Sequence, residues 1–167
     1  MDTLDVIEWV EDFFLRHKKA LSAVFGTLFA LFCLTFLIGA FAAGGCREES
    51  IPAHKRVAYC NVSLVAGTWA DIFPLEYRRR SEVRLERGIA LLQAGRPQDA
   101  RAGFAKAVNA LLLYPEDNYV FSVQRDIIAS HQDPRIAALW RQVLDDAMAV
   151  SGADAATIAR LREKISF

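Results

Sequence analysis

The side chains able to do chemistry are few and far apart. Three cysteines (Cys33, Cys46, Cys60) and three histidines (His17, His54, His131) are spread over 167 residues. A structural zinc site takes four ligands at short spacing. Cys46, His54 and Cys60 offer three, and the sequence brings no fourth close to them. The phosphate-cradling G-x-x-x-x-G-K-S/T, the dinucleotide G-x-G-x-x-G, the metalloprotease H-E-x-x-H and the nucleophile elbow G-x-S-x-G do not occur. The acid pairs Glu116-Asp117 and Asp145-Asp146 fall in a turn and on a helix, where water is the ordinary partner. No base stands beside a nucleophile, so the expectation is a chain that is not an enzyme, with no cofactor, no metal and no small-molecule substrate.

What chemistry remains belongs to sulfur and to charge. Cys46 and Cys60 have 13 residues between them. In an oxidising compartment they can pair, and closing a loop of about 15 residues contributes roughly 3 kcal/mol. Two free thiols are the alternative, because spacing does not establish a bridge. Arg78, Arg79, Arg80, Arg84 and Arg87 form the densest basic patch. Glu76 and Glu82 lie four residues from Arg80 and Arg78, which favours a solvated, locally balanced helix face. The functional alternative is a partner surface for an acidic protein or for lipid headgroups. Twenty basic and twenty acidic residues cancel overall, and no aromatic side chains interleave with the arginines, so nucleic acid is not an expected partner.

The elements that must carry these residues are organised around one apolar run. Ala20 to Cys46 holds 27 consecutive residues without a charge, bracketed by Lys18-Lys19 and Arg47. About 20 apolar residues suffice for a helix to cross a bilayer. Residues 20–45 are therefore predicted to be a single transmembrane helix, with the lipid bilayer as its surroundings. The ending AAGGC is also how a bacterial lipoprotein signal ends, but Ala43 stands where that pattern has leucine or a similar residue. The leader is acidic and the run exceeds a 7–15-residue signal core, so an intact anchor is expected. Positive charge favours the inner side. Lys18-Lys19 abut the run, whereas Arg47 is followed by Glu48-Glu49, and this predicts a cytoplasmic N-terminus and an outer C-terminal domain.

Residues 1–19 read as a short acidic amphipathic helical segment, with Asp2, Asp5, Glu8, Glu11 and Asp12 and no basic residue before Arg16. It is either an interfacial extension of the anchor or a docking helix for a membrane partner. Residues 46–73 read as a connector broken by Pro52 and Gly67, in which Val57 to Val65 form a helical turn or a short extended piece. From residue 74 the pattern is helical throughout. One helix ends at Gly95 and a second opens at Pro97, which suits the first helical position. A third covers NYVFSVQRDIIAS. A fourth starts after the cap Asp133 with Pro134 and buries Ile136, Leu139, Trp140, Val143 and Leu144. A last one opens at Ser151 and runs through Ile158, Leu161 and Ile165.

Gly88, Gly95, Ala100, Phe104 and Ala107 fall at the spacing of the small and aromatic positions of a tetratricopeptide repeat. The stretch GIALLQAGRPQDARAGFAKAV resembles the core of one such motif. Arg84 and Arg87 depart from it, standing where the pattern has a large aromatic and a leucine, and Pro115 comes three residues late. The resemblance covers about 34 residues and implies paired antiparallel helices whose groove holds a peptide or a neighbouring subunit. The expected fold class is all-α: an amphipathic N-terminal segment, one transmembrane helix, and a domain of about five helices over residues 74–167. That architecture resembles the membrane-anchored tetratricopeptide accessory proteins of bacterial secretion and cytochrome maturation systems, an analogy of fold and topology. The functional expectation is a protein–protein interaction module, an accessory or assembly subunit of a bacterial inner-membrane complex with its domain in the periplasm. The alternative is a structural subunit held in a complex through its transmembrane helix and acidic N-terminal helix.

Overall fold

In the computed structural model, residues 3–66, 76–113 and 118–152 are described, with residues 156, 158, 159 and 163 of the tail; side chains are described from Leu15 in the first helix and from Arg80 in the third. The described residues form six helices and no strand: α1 (Thr3–Arg47), α2 (Ala53–Ala66), α3 (Glu76–Gln93), α4 (Pro97–Leu113), α5 (Asn118–Ser130) and α6 (Pro134–Val150). The chain divides into two units, Met1–Leu37 and Ile38–Phe167.

α1 is one continuous helix of 45 residues, in which the acidic segment runs on into the apolar stretch. At 1.5 Å per residue it is about 68 Å long, roughly twice the hydrocarbon thickness of a bilayer. No proline or glycine pair interrupts residues 3–38, and the hydrogen-bond ladder runs on through the basic residues at 16–19. From Leu15 to Arg47 it is long and apolar enough to cross a membrane, and its most apolar window has no buried residue. Val24, Phe25, Leu28, Phe29 and Phe36 stand exposed. In water a helix that is apolar on every side needs a core around it. Thr27 and Thr35 return their hydroxyls to the carbonyls of Ala23 and Leu31, so neither leaves a polar group unmatched along this surface.

The second unit packs around α3, which has α2, α4 and α5 as neighbours, while α6 lies on α4. Leu85, Ile89, Phe104, Leu111, Ile136 and Trp140 belong to the unit's main apolar core. The α3–α4 hairpin turns at Gly95, whose φ of 74° is the left-handed conformation that glycine adopts without a Cβ clash. The amide of Arg96 donates to Leu91 O and that of Gly95 to Leu92 O, so the last carbonyls of α3 are satisfied within the turn. α5 and α6 have the limits read from the sequence. Asp133 is the N-cap of α6, accepting from the Arg135 amide, and Pro134 follows at the first position.

Two local expectations change. The connector contains a full helix, α2, because Val57, Cys60 and Leu64, at i, i+3 and i+7, find partners on other elements. Isolated, its valines and asparagine make it a weak helix former. Ser151 closes α6 as its C-cap, donating from Oγ to the Met148 carbonyl. Most of the helix expected beyond it lies outside the described residues, although Ile158 packs on the core.

Candidate functional site: a disulfide and buried charges where the first helix meets the domain

The end of α1 is part of the second unit. Phe41 is 78% exposed and the next residue, Ala42, is 2% exposed, which marks where the bare apolar surface gives way to packing. The Cys46 and Cys60 sulfurs are bonded, with the two Cα atoms 4.8 Å apart, and both residues are fully buried. Together with Val83 of α3 they form a small apolar cluster apart from the main core, flanked by Ala43, Tyr59 and Leu64. A Cβ on Gly45 would lie 2.8 Å from the Tyr59 ring, so the ring is seated directly on the glycine backbone.

Beside this cluster Arg56, Glu86 and Glu82 are buried and paired, while Arg47 and Glu49 reach them from more exposed positions. Arg56 of α2 is 2% exposed. Its Nε donates to Cys46 O at 3.1 Å, and its two terminal nitrogens reach Gln93 Oε1 at 2.8 Å and Glu86 Oε2 at 3.4 Å. One guanidinium thus ties the end of α1, through its backbone, to two side chains of α3. A fork of fixed donors suits this arrangement where a lysine's single ammonium would not. Glu86 is in turn 3.8 Å from Nε2 of His131, and Nδ1 of His131 lies 2.8 Å from Glu49 Oε1 in the turn between α1 and α2. His131, just after α5, is nearly buried. Arg47 donates to Glu82 of α3 at 2.5 Å. In the same turn, hydrogen bonds from the side chain and backbone of Ser50 hold the Glu48 carboxyl below its ordinary value, as does the charge of Arg56. At the far side, the side chain of Arg135 and its amide likewise hold Asp133 low.

The predicted partner arginines are placed variously. Arg80 donates to Leu64 O of α2 at 3.2 Å, and Arg87 to Asn61 Oδ1 at 2.6 Å. Both therefore reach across to α2, and Arg80, Arg84 and Arg87 are all half-buried. Arg78 and Arg79 belong to α3, and their side chains lie outside those described.

The five small and aromatic positions of the repeat-like stretch come together in the α3–α4 hairpin. Ala100, Phe104 and Ala107 are fully buried on α4. Gly88 faces the Phe104 ring, which a Cβ there would approach to 3.0 Å, and Gly103 faces Gly88, whose Cα would be 3.1 Å from an added Cβ. The two helices touch at glycine backbone with Phe104 wedged beside the contact. Gly103 is the one the sequence reading passed over. Behind the hairpin, the buried Gln124 of α5 donates to Ala107 O at 3.0 Å and accepts from Trp140 Nε1 of α6 at 3.3 Å.

Chemically the site fastens helices. Among the described residues no group of three or more His, Cys, Asp or Glu is placed to hold a metal. Arg56, Glu86, Glu49 and Gln93 were missed by sequence reasoning; the only signal was an arginine at the helical spacing of Val57 and Cys60, which ordinarily marks a solvated position. No protein-family model, no curated protein and no solved structure matches the chain.

Proposed function

We propose that this chain is a membrane-anchored protein–protein interaction module, an accessory or assembly subunit of a bacterial inner-membrane complex. Its N-terminus is cytoplasmic and its helical domain lies in the periplasm. The observation that carries the reading is the fastening of α1 to the domain by the Cys46–Cys60 bond. A disulfide persists in an oxidising compartment, which supports the outer placement that Lys18-Lys19 favour on charge grounds. The bond also occupies the Cys46 sulfur, the atom that lipidation would need. A cleaved signal would take Ala42, Ala43 and Gly45 from packed positions, and this favours a retained anchor.

The interaction role rests on the hairpin. Gly88, Gly95, Ala100, Phe104 and Ala107 sit in an antiparallel pair with small residues at the contact and an aromatic wedge, in keeping with a tetratricopeptide-like unit. α5 packs beside α3 and α6 on α4, so the two flank the hairpin more than they pair with each other. Such surfaces bind peptides and subunits.

Labelling intact cells with a membrane-impermeant thiol reagent tests the placement. Cys46 and Cys60 are expected to stay unlabelled until the bond is reduced and the chain opened, and then to react from outside. Reaction of both without reduction, or only after the inner membrane is breached, refutes it. Affinity capture of the full chain from detergent-solubilised membranes tests the role. If its co-purifying proteins are the same for a chain truncated after Glu49, the anchor rather than the domain makes the contacts.

A further inference from the structure

We infer that the second unit is seated on the bilayer by one end, where exposed apolar side chains of α1, α2, α4 and α5 enter the lipid interface and the arginines opening α3 take the phosphates of anionic phospholipids. This rests on α1 crossing a bilayer, and adds which surface of the domain lies against the lipid.

The level of the bilayer is set on α1. Its uncharged run from Ala20 to Cys46 is 27 residues, about 40 Å of helix against about 30 Å of hydrocarbon. With Lys18 and Lys19 at the opposite surface, the hydrocarbon ends near Ala40, and the turns from Phe41 to Cys46 stand in the headgroup layer. α2 runs back along those turns. Cys60 is bonded to Cys46, the Tyr59 ring covers Gly45, and Leu64 and Ala43, about one turn further along each helix, join the same cluster. α3 leads away again, because Arg80 near its start reaches Leu64 O, Arg87 reaches Asn61, and Gln93 at its end meets Arg56. α4 returns from the turn at Gly95, with Gly103 against Gly88. α5 leaves once more, since Gln124 bonds to Ala107 O and so sets Tyr119 level with the last turn of α4. The end of α2, the start of α3, the end of α4 and the start of α5 therefore share one level with the headgroups.

Exposed apolar side chains collect there. Phe41 of α1, Val62 and Val65 of α2, Leu113 of α4 and Tyr119 of α5 all stand exposed. Water penalises such a gathering, whereas the interface accepts apolar side chains and favours tyrosine. Val150 is placed elsewhere: it is 85% exposed, but Asp146, one turn before it, pairs with Arg101 near the start of α4, at the opposite end. Charge agrees with the seating. Residues 76–80 hold three arginines and one glutamate, and Glu82 is taken by Arg47. A positive excess thus lies at the height of the lipid phosphates, which match the guanidinium fork. Each such arginine strengthens attachment to an anionic surface about fivefold.

Photo-crosslinking of the full chain in nanodiscs tests this. One phospholipid probe carries a diazirine deep in its acyl chain and another just below the headgroup, and the labelled residues are mapped by mass spectrometry. The deep probe is expected to label α1 between Ala20 and Gly39. The shallow probe should label Val62, Val65, Leu113 and Tyr119 and spare Val150 and the turn at Gly95. Adding phosphatidylglycerol to phosphatidylcholine discs should raise that shallow labelling at least about threefold, and Arg78→Gln/Arg79→Gln should remove the rise. A labelled α1 with the four residues no more reactive than Val150 overturns the seating and leaves the anchor standing. Shallow labelling indifferent to phosphatidylglycerol, a comparison that needs no variant, overturns the phosphate contact. A rise that survives the double substitution overturns the role of the arginines. An α1 untouched by the deep probe refutes the span itself, and the seating with it.

Discussion

Substituting Gly103 by alanine pits two opposed effects against each other, and the structure decides between them. In a helix interior alanine is favoured over glycine by about 1 kcal/mol, so a glycine with open space beside it should gain. Gly103 has no such space. The added Cβ would be 3.1 Å from Gly88 Cα, 3.3 Å from Gly88 N and 3.5 Å from Arg84 O. All three are backbone atoms that cannot rotate away, so α3 and α4 must part by a few tenths of an ångström, and Phe104 loosens with them. Overpacking of this kind costs about 1–3 kcal/mol, leaving Gly103→Ala destabilised by about 1 kcal/mol. For a unit of this size that lowers Tm by about 4 °C. Gly88→Ala meets the Phe104 ring at 3.0 and 3.1 Å and Ala100 O at 3.3 Å, and a loss of about 1 kcal/mol is expected there too. The two changes press on one contact, so the double variant should fall short of the summed loss by at least about 0.5 kcal/mol. Thermal melting followed by near-ultraviolet circular dichroism gives all three numbers. Gly44, with nothing within 4 Å, is the control and should show no loss. Stabilisation by both single substitutions, or strict additivity, would mean that the helices do not meet at these glycines.

Three further outcomes follow from the same packing. Phe104→Ala empties a fully buried site beside the glycine contact and should cost about 3–5 kcal/mol, enough to populate the unfolded domain in a denaturant titration; a loss below about 1 kcal/mol would show that the wedge is not needed. Gln124→Leu leaves the Trp140 indole without its acceptor and should lower stability by about 1–3 kcal/mol, read as a red-shifted and less structured aromatic signal in the melt. Asp133 has its carboxyl held low by Arg135. Its cap therefore contributes fully above the ordinary carboxylate range and is lost as pH falls through the lowered folded value. The Tm difference between wild type and Asp133→Ala should be present at neutral pH and vanish in strong acid, and a difference independent of pH would contradict the ionised cap.

Local signals carried much of the architecture. The uncharged stretch from Ala20 needs no knowledge of other elements to be read as a helix with bare apolar sides. Gly95 before Pro97 and Asp133 before Pro134 state a turn and a helix start through φ preferences and hydrogen bonds confined to a few neighbouring residues. The stripe of Ile136, Trp140, Val143 and Leu144 announces a buried face in the same way. That is why α5 and α6 begin and end where the sequence placed them, and why Phe104 and Ala107 proved to lie in the core.

The tertiary structure decided everything that depends on which elements meet. Residues 46–73 contain weak helix formers and a proline, and α2 exists because α1 and α3 lie against it. Arg56 carries no local signal of burial in the sequence. It is buried because Cys46 O, Gln93 and Glu86, from 10 to 37 positions away, supply acceptors at one point. His131 joins that point from the end of α5. The sequence by itself determined the apolar run and the helices α3 to α6, since periodicity, caps and hydropathy act between near neighbours. Only the folded chain determined that the two cysteines are bonded, that charge is buried beside them, and that the last turns of α1 belong to the domain, because each requires groups distant in sequence to become partners in space.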